Sequence, residues 1–224
     1  MYATQSEMAS ATQNRRRRLD RRTRTARAEG RDGRAALLQA AMEVFAERGY
    51  RDASVDEIAA RAGYSKGAIY FHFSGKDDLF FALLEERIDR PMREAIKLLE
   101  SAPPEDDMSA EANRHFLALV SGQRELLLLD NEYRSQAMRD SRLRARYVSR
   151  EAELRAALAK GLQARLKHLG APPLAAPEQL ATGLLSLAFG LAQEKLIEPD
   201  AVPDDLLGDM FALVYAGYVA RAQR

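Results

Sequence analysis

S-V-D-E-I-A-A-R-A-G-Y-S-K-G-A-I-Y-F-H-F-S-G-K, residues Ser54–Lys76, reads as two very short helices joined by a tight turn. Ser54 followed by Glu57 is a capping box, so the first helix starts at Val55. Ile58, Ala59 and Ala62 give it one apolar face at helical spacing. Gly63 supplies the left-handed residue that ends it, a conformation costly for any residue with a Cβ. Ser65 is placed to cap a second helix through about Phe73, with Ile69 and Phe73 on its buried side. Ala59 leaves room for the two to cross closely. The combination is a helix-turn-helix, whose second helix fits a DNA major groove.

Upstream, Asp32 can cap a helix that runs to about Arg48 and carries the stripe Leu37, Ala40, Ala41, Val44 and Phe45, and Gly49 stops it. Downstream, Ser74 caps a fourth helix, with Asp77 near its third position and Leu79, Phe80, Leu83, Leu84 and Ile88 along one side. Pro91 predicts a kink or break in or just after that helix. These residues resemble the DNA-binding signature of the TetR family of bacterial transcriptional regulators. The likeness is carried by Ala62–Phe80 (A-G-Y-S-K-G-A-I-Y-F-H-F-S-G-K-D-D-L-F), by Ala40–Gly49 and by Ser54–Ala59. Tyr64 departs from the family's more usual Val and reads as a larger hydrophobe closing the same turn. The specific part covers roughly Ala35–Leu84; beyond it only the all-helical pattern agrees.

On DNA, Lys66, Gly67 and Ala68 sit at the exposed start of the second helix. Lys66 can donate to guanine, Ala68 can press on a thymine methyl, and Gly67 lets the backbone come close. Tyr64, Ser65, Tyr70, His72 and Lys76 offer donors to phosphates, and Ser54 with the amides behind it forms a further anion site. The resemblance implies DNA contacts at Lys66, Ala68, Tyr70, Phe71, His72 and Lys76.

The charge pattern agrees. Residues 1–76 hold 15 Lys/Arg against nine Asp/Glu, about +6, although the whole chain is +1. A basic head on an acidic body points to a polyanionic partner. Residues 1–31, with Arg15–Arg18, Arg21, Arg22, Arg24, Arg27 and Arg31, read as a disordered basic arm able to lie along phosphates.

After a loop at Ser101–Asp107 the chain reads as helices at about 109–121, 123–138, 142–169, 177–196 and 203–222, with Pro177 and Pro203 at first helical positions. The expected fold is all-α, about nine helices. A helix-turn-helix domain spans 32–78, and a helical ligand-binding and dimerisation domain spans 79–224. The last two helices are apolar over more than one face, through Leu180, Leu184, Leu187, Leu191, Leu207, Met210, Phe211, Val214 and Tyr218. Either both are core of one chain, or they form a two-fold four-helix interface. The resemblance implies the second. It also implies a ligand pocket, for which the inner faces offer Phe81, Leu84, His115, Phe116, Leu119, Tyr133, Met138, Tyr147 and Phe189.

Cysteine is absent and the three histidines are scattered, so disulfides, a thiol nucleophile and a metal centre are not expected, nor any cofactor. The paired carboxylates Glu85–Glu86, Asp106–Asp107 and Asp204–Asp205 lack any accompanying catalytic spacing, which argues against an enzyme. The longest uncharged run, Gln179–Gln193, falls short of a membrane span, and without a signal-peptide core the protein is expected in the cytoplasm. The reading is a homodimeric repressor on a palindromic operator, released by a small hydrophobic or amphipathic inducer. The alternative is a DNA-binding activator or architectural regulator with no small ligand.

Overall fold

The structure, a computed structural model, describes residues 33–103, 108–168, 170, 172–173 and 176–222, with backbone alone at 218, 219, 221 and 222. The arginine-rich arm and the Asp32 cap lie outside the described residues. All regular structure among the described residues is helical: α1 (33–52), α2 (Val55–Ala62), α3 (Lys66–His72), α4 (Lys76–Leu84), α5 (Arg90–Ser101), α6 (Met108–Gly122), α7 (Arg124–Ala137), α8 (Ser141–His168), α9 (Pro177–Ile197) and α10 (Leu206–Ala222). Contacts divide the chain into two units. The first holds the described residues to Arg48 together with Asp52–Phe80; the second holds Gly49–Arg51 and the chain from Phe81 onward.

In the first unit the α1 stripe is fully buried with Ile58, Ile69, Phe73, Leu79 and Phe80. Phe45 meets Phe80 edge to face, ring centroids 5.6 Å apart. Arg61 of α2 reaches back to both carboxylate oxygens of Glu47 in α1, each at 2.8 Å. At the start of α4 the Ser74 amide donates to Asp78 at 2.9 Å, so the reciprocal cap falls one residue later than Asp77.

The second unit is built around α8, which packs on α5, α7 and α9. Ile96, Leu154, Leu158, Ala181, Leu184, Leu185 and Phe189 form one apolar cluster there. Two glycines allow close crossings. A Cβ at Gly161 would press on Ile96 of α5, and one at Gly208 would collide with the Ser109 carbonyl of α6. Gly49 turns left-handed at φ 75°, yet the helix continues to residue 52 rather than stopping. The amides of Tyr50 and Arg51 find an external acceptor, the Glu132 carboxylate, at 2.8 and 3.1 Å.

Pro91 neither breaks nor sharply ends the helix. Residues Glu85–Asp89 widen into one π-helical turn, with the Arg90 amide donating to the Glu85 carbonyl, and α5 continues. The wide turn absorbs the missing N–H and the bulk of the ring. Pro203, predicted to open the last helix, lies three residues before it, in a segment where Lys195 ties down the Val202 carbonyl and Asp204. At 21 residues α9 meets a length-and-hydropathy criterion for a membrane span, although its longest uncharged run is shorter. Ala181, Leu184, Leu185, Phe189 and Ala192 are nonetheless its buried face, and its main packing partner is α8.

Three elements meet at a buried guanidinium. Arg150 of α8 donates to both oxygens of Asp89 in the π turn, at 2.7 and 2.8 Å, and to Asp130 of α7 at 2.9 Å. Burial pushes the Asp89 carboxyl above the ordinary aspartate range, against the pull of Arg150. Burial beside Asp130 likewise pushes the Tyr147 phenol up; its hydroxyl donates to Asp130 at 3.1 Å. Removing only the guanidinium strands two buried carboxylates. Arg150→Met is therefore expected to lower unfolding free energy by about 3–5 kcal/mol in urea melts. Combining it with Asp89→Leu and Asp130→Leu is expected to restore much of that loss, and equal losses in the single and triple variants would count against the charge explanation.

Candidate nucleic-acid interface and apolar cavity

The turn between α2 and α3 is closed by backbone alone. Gly63 sits at φ 73°, its amide donates to Ala60, and the Tyr64 amide donates to Ala59 at 2.9 Å. Ser54 accepts from the Glu57 amide at 3.1 Å, as the capping box requires. Ser65 differs from expectation: its side chain makes no capping bond, and only its carbonyl accepts, from Ala68. The Ser65 hydroxyl stays at the surface beside Gly67.

α3 is seven residues long, and Ile69 is its buried anchor. Tyr70 is 53% exposed and Phe71 82% exposed, with Lys66 and Gly67 also at the surface. Phe71 rests edge-on against His72, centroids 4.9 Å apart. Ala68 and His72 are half-buried. Tyr64 leans over Gly33 in α1, which explains how a ring replaces a smaller turn-closing residue.

Two of the expected donors already have partners. Lys66 pairs with Asp56 at 2.9 Å, and that carboxylate holds its ammonium above the usual lysine range. Half-buried Lys76 donates to the Ala53 carbonyl at 3.0 Å instead of projecting freely. Asp56 and Glu57 in the first turn of α2 also weaken the anion site expected at Ser54. A contact ten residues apart, such as Lys66–Asp56, has no periodic signal in the sequence.

The second unit contains a cavity of about 300 Å3 between α5, α6, α8, α9 and α10. Ile88, Met92, Ile96, Leu99, Phe116, Leu185 and Phe211 are among its apolar walls, and Glu111, His115, Gln123 and Arg87 supply its polar groups. Of the residues expected to line a pocket, His115, Phe116 and Leu119 do so. Phe81, Leu84, Tyr133, Met138, Tyr147 and Phe189 do not. Tyr133 is buried among Tyr50, Phe81 and Tyr147, Leu84 is core, Met138 is exposed at the end of α7, and Phe189 belongs to the α8–α9 cluster. Met92, Ile96 and Leu99 were readable as one face of α5, but which faces meet across a void is decided by tertiary packing.

The residues expected to join two subunits divide. Leu184 and Leu207 are buried within their own chain, and Phe211 lines the cavity. Leu180, Leu187, Leu191 and Met210 are half-buried, and Val214 is exposed; the Tyr218 side chain lies outside the described residues. Leu213, 63% exposed and missed by the sequence reading, stands beside Val214, and Gly183, Gly190 and Gly217 face open space.

The family model for bacterial regulatory proteins of the tetR family matches residues 37–83. Among curated proteins, the transcriptional activator FasR of Mycolicibacterium smegmatis is 54% identical over 56 residues, 25% of this chain and 26% of FasR. The transcriptional repressor BepR of Brucella suis is 46% identical over 61 residues, 27% of this chain and 29% of BepR. The chain thus spans little more than a quarter of these two relatives. Over the whole fold it is similar to SmeT, the repressor of a multidrug efflux pump of Stenotrophomonas maltophilia, in its triclosan complex. There the TM-score is 0.62 at 22% identity, covering 84% of this chain and 92% of that one.

A Cβ at Gly63 would meet no neighbouring atom, so only its backbone conformation resists substitution. Gly63→Ala is expected to cost about 1–2 kcal/mol in a urea melt. An unchanged midpoint would mean that the turn relaxes to another geometry.

Proposed function

We propose that this chain, whose head matches the bacterial regulatory protein tetR family model over residues 37–83, is a homodimeric repressor, bound to a palindromic operator and released by a small molecule. The observation that carries the DNA reading is the two-sidedness of α3. Within seven residues it buries Ile69 and leaves Tyr70, Phe71 and Lys66 outside. A surface helix gains nothing in water by exposing a phenylalanine ring, whereas sugars and thymine methyls accept one. Lys66 reads a base edge after leaving Asp56. Tyr64, Ser65, Tyr70 and His72 hold phosphates, and Lys76 steadies the loop before α2 through the Ala53 carbonyl.

The outer faces of α9 and α10 support dimerisation. Leu213 and Val214 lie outside the chain's own core, and the open glycines allow a second pair of helices to approach closely. Two recognition helices related by that axis would meet half-sites about one DNA turn, roughly 34 Å, apart. The apolar cavity supports the inducer. A molecule bound there would favour one arrangement of the second unit, and DNA affinity would change by linkage. SmeT, whose fold is shared, has been seen with triclosan. FasR, named an activator, favours a second reading in which the same head recruits rather than blocks transcription.

Fluorescence anisotropy on a palindromic duplex selected from a random pool tests the DNA half. Affinity is expected to fall steeply with salt, and Lys66→Ala to lose about tenfold or more and relax base preference at one position per half-site. Binding with no salt dependence or sequence preference would sink the proposal. Leu213→Asp is expected to yield a monomer by sedimentation at micromolar concentration with its thermal midpoint little changed; a persistent dimer would place the interface elsewhere.

A further inference from the structure

The cavity wall is mostly apolar, and the geometry of its one acid, Glu111, and its one imidazole, His115, fixes which hydrogen bonds a ligand can make there. His115 Nδ1 lies 3.0 Å from the backbone carbonyl of Glu111, one helical turn earlier, and 3.1 Å from Glu111 Oε1. A carbonyl oxygen only accepts, so the proton sits on Nδ1. In the neutral ring Nε2 is then an acceptor, and among the described residues it has no partner. The second oxygen of Glu111 is taken by Arg114.

Three ligand classes can be weighed against this arrangement. A cationic amine would have to compete for a carboxylate that already meets His115 on one oxygen and Arg114 on the other. A carboxylate ligand would need a second proton on His115 and would stand beside the Glu111 charge. Arg87, the remaining cation on the wall, is exposed and already has a partner. A neutral hydroxyl meets neither cost: it donates to Nε2 while its body fills the apolar space. Phe116 and Phe211 on the wall favour an aromatic body, because rings pair edge to face. At about 300 Å3 the space is at the small end for drug-sized ligands.

We propose that the cavity recognises a neutral hydroxylated aromatic molecule, of the phenol class, whose hydroxyl donates to Nε2 of His115 in the tautomer held by Glu111. This rests on the cavity being the effector's seat and adds the chemistry of what sits there.

Displacement of N-phenyl-1-naphthylamine from the full-length protein tests it, with 2-naphthol, naphthalene, 2-naphthoate and 2-naphthylmethylamine as competitors. 2-Naphthol is expected to compete about three- to tenfold better than naphthalene, the worth of one hydrogen bond, and better than either charged analogue. In His115→Phe, or in His115→Met should the first fail a circular-dichroism melt, naphthalene is expected to keep its affinity within about twofold while the 2-naphthol advantage disappears. Gln123→Leu, at the other polar point of the wall, is expected to leave the advantage intact. Equal competition by 2-naphthol and naphthalene, a tighter charged analogue, or loss of discrimination in Gln123→Leu alone overturns the assignment. Failure of the fluorescent probe and all four competitors to bind overturns it together with the cavity's role as effector site. Release of duplex DNA by the same compounds is read separately. Discrimination without release leaves the phenol assignment standing and refutes the inducer mechanism.

Discussion

One guanidinium holds the second unit in register. Arg150 takes both oxygens of Asp89 and one of Asp130, so a single side chain of α8 fixes the π turn on one side and α7 on the other. Desolvation lifts Asp89 despite the contact, and the Asp130 charge adds a smaller push in the same direction. It is costly to desolvate, and apolar packing of the same volume would serve stability at least as well. What packing could not supply is direction. A bidentate pair accepts one approach and one rotation of the turn. The π turn exists because Pro91 cannot donate to the carbonyl four residues back, and an extra residue in a helical turn rotates everything after it. Asp89 pins that rotation, and Ile88, Pro91 and Met92 thereby face the cavity.

The first unit depends on a smaller constraint. With α2 eight residues long and α3 seven, neither helix would persist alone in water, where shorter than about 12–15 residues is marginal. They persist because Gly63 lets two backbone bonds close the turn and because Ile58, Ile69 and Phe73 share a core with α1 and the start of α4. All of that was legible in the sequence. Capping box, left-handed glycine and apolar spacing are local signals, each contained within a few residues. The resemblance drew on the same residues.

What was not legible is long-range. Arg150 and Asp89 are 61 residues apart, and an arginine on a mostly polar helix reads as solvated until α7 and the π turn cover it. The pocket shows the same limit from the other side. Apolar periodicity placed Tyr133, Leu84 and Phe189 on inner faces, correctly, but an inner face can meet a neighbour or a void. Which it meets depends on close crossings such as Gly208 of α10 on α6, where Asn113 also grips the Gly208 amide and the Asp205 carbonyl. Glu111 escaped notice because Arg114 and His115 make it look like an ordinary helix-surface acid; its place on a cavity wall gives it another meaning.

The last two helices bring both kinds of reasoning together. Among the described residues the fully buried face of α9 is Ala181, Leu184, Leu185, Phe189 and Ala192, with Leu180 and Ala188 partly covered beside it. On the other side stand Gly183, Ser186 and Gly190, small residues with open space before them, and α10 adds Leu213, Val214 and Gly217. Small residues beside exposed branched ones form grooves and ridges, the relief that helix-on-helix packing needs. Phe211, on the same short stretch, lines the cavity. A molecule that pushed Phe211 would therefore act on the helix whose outer face carries Leu213 and Val214. One helix thus touches both the cavity and these exposed residues, which is the shortest physical link between them.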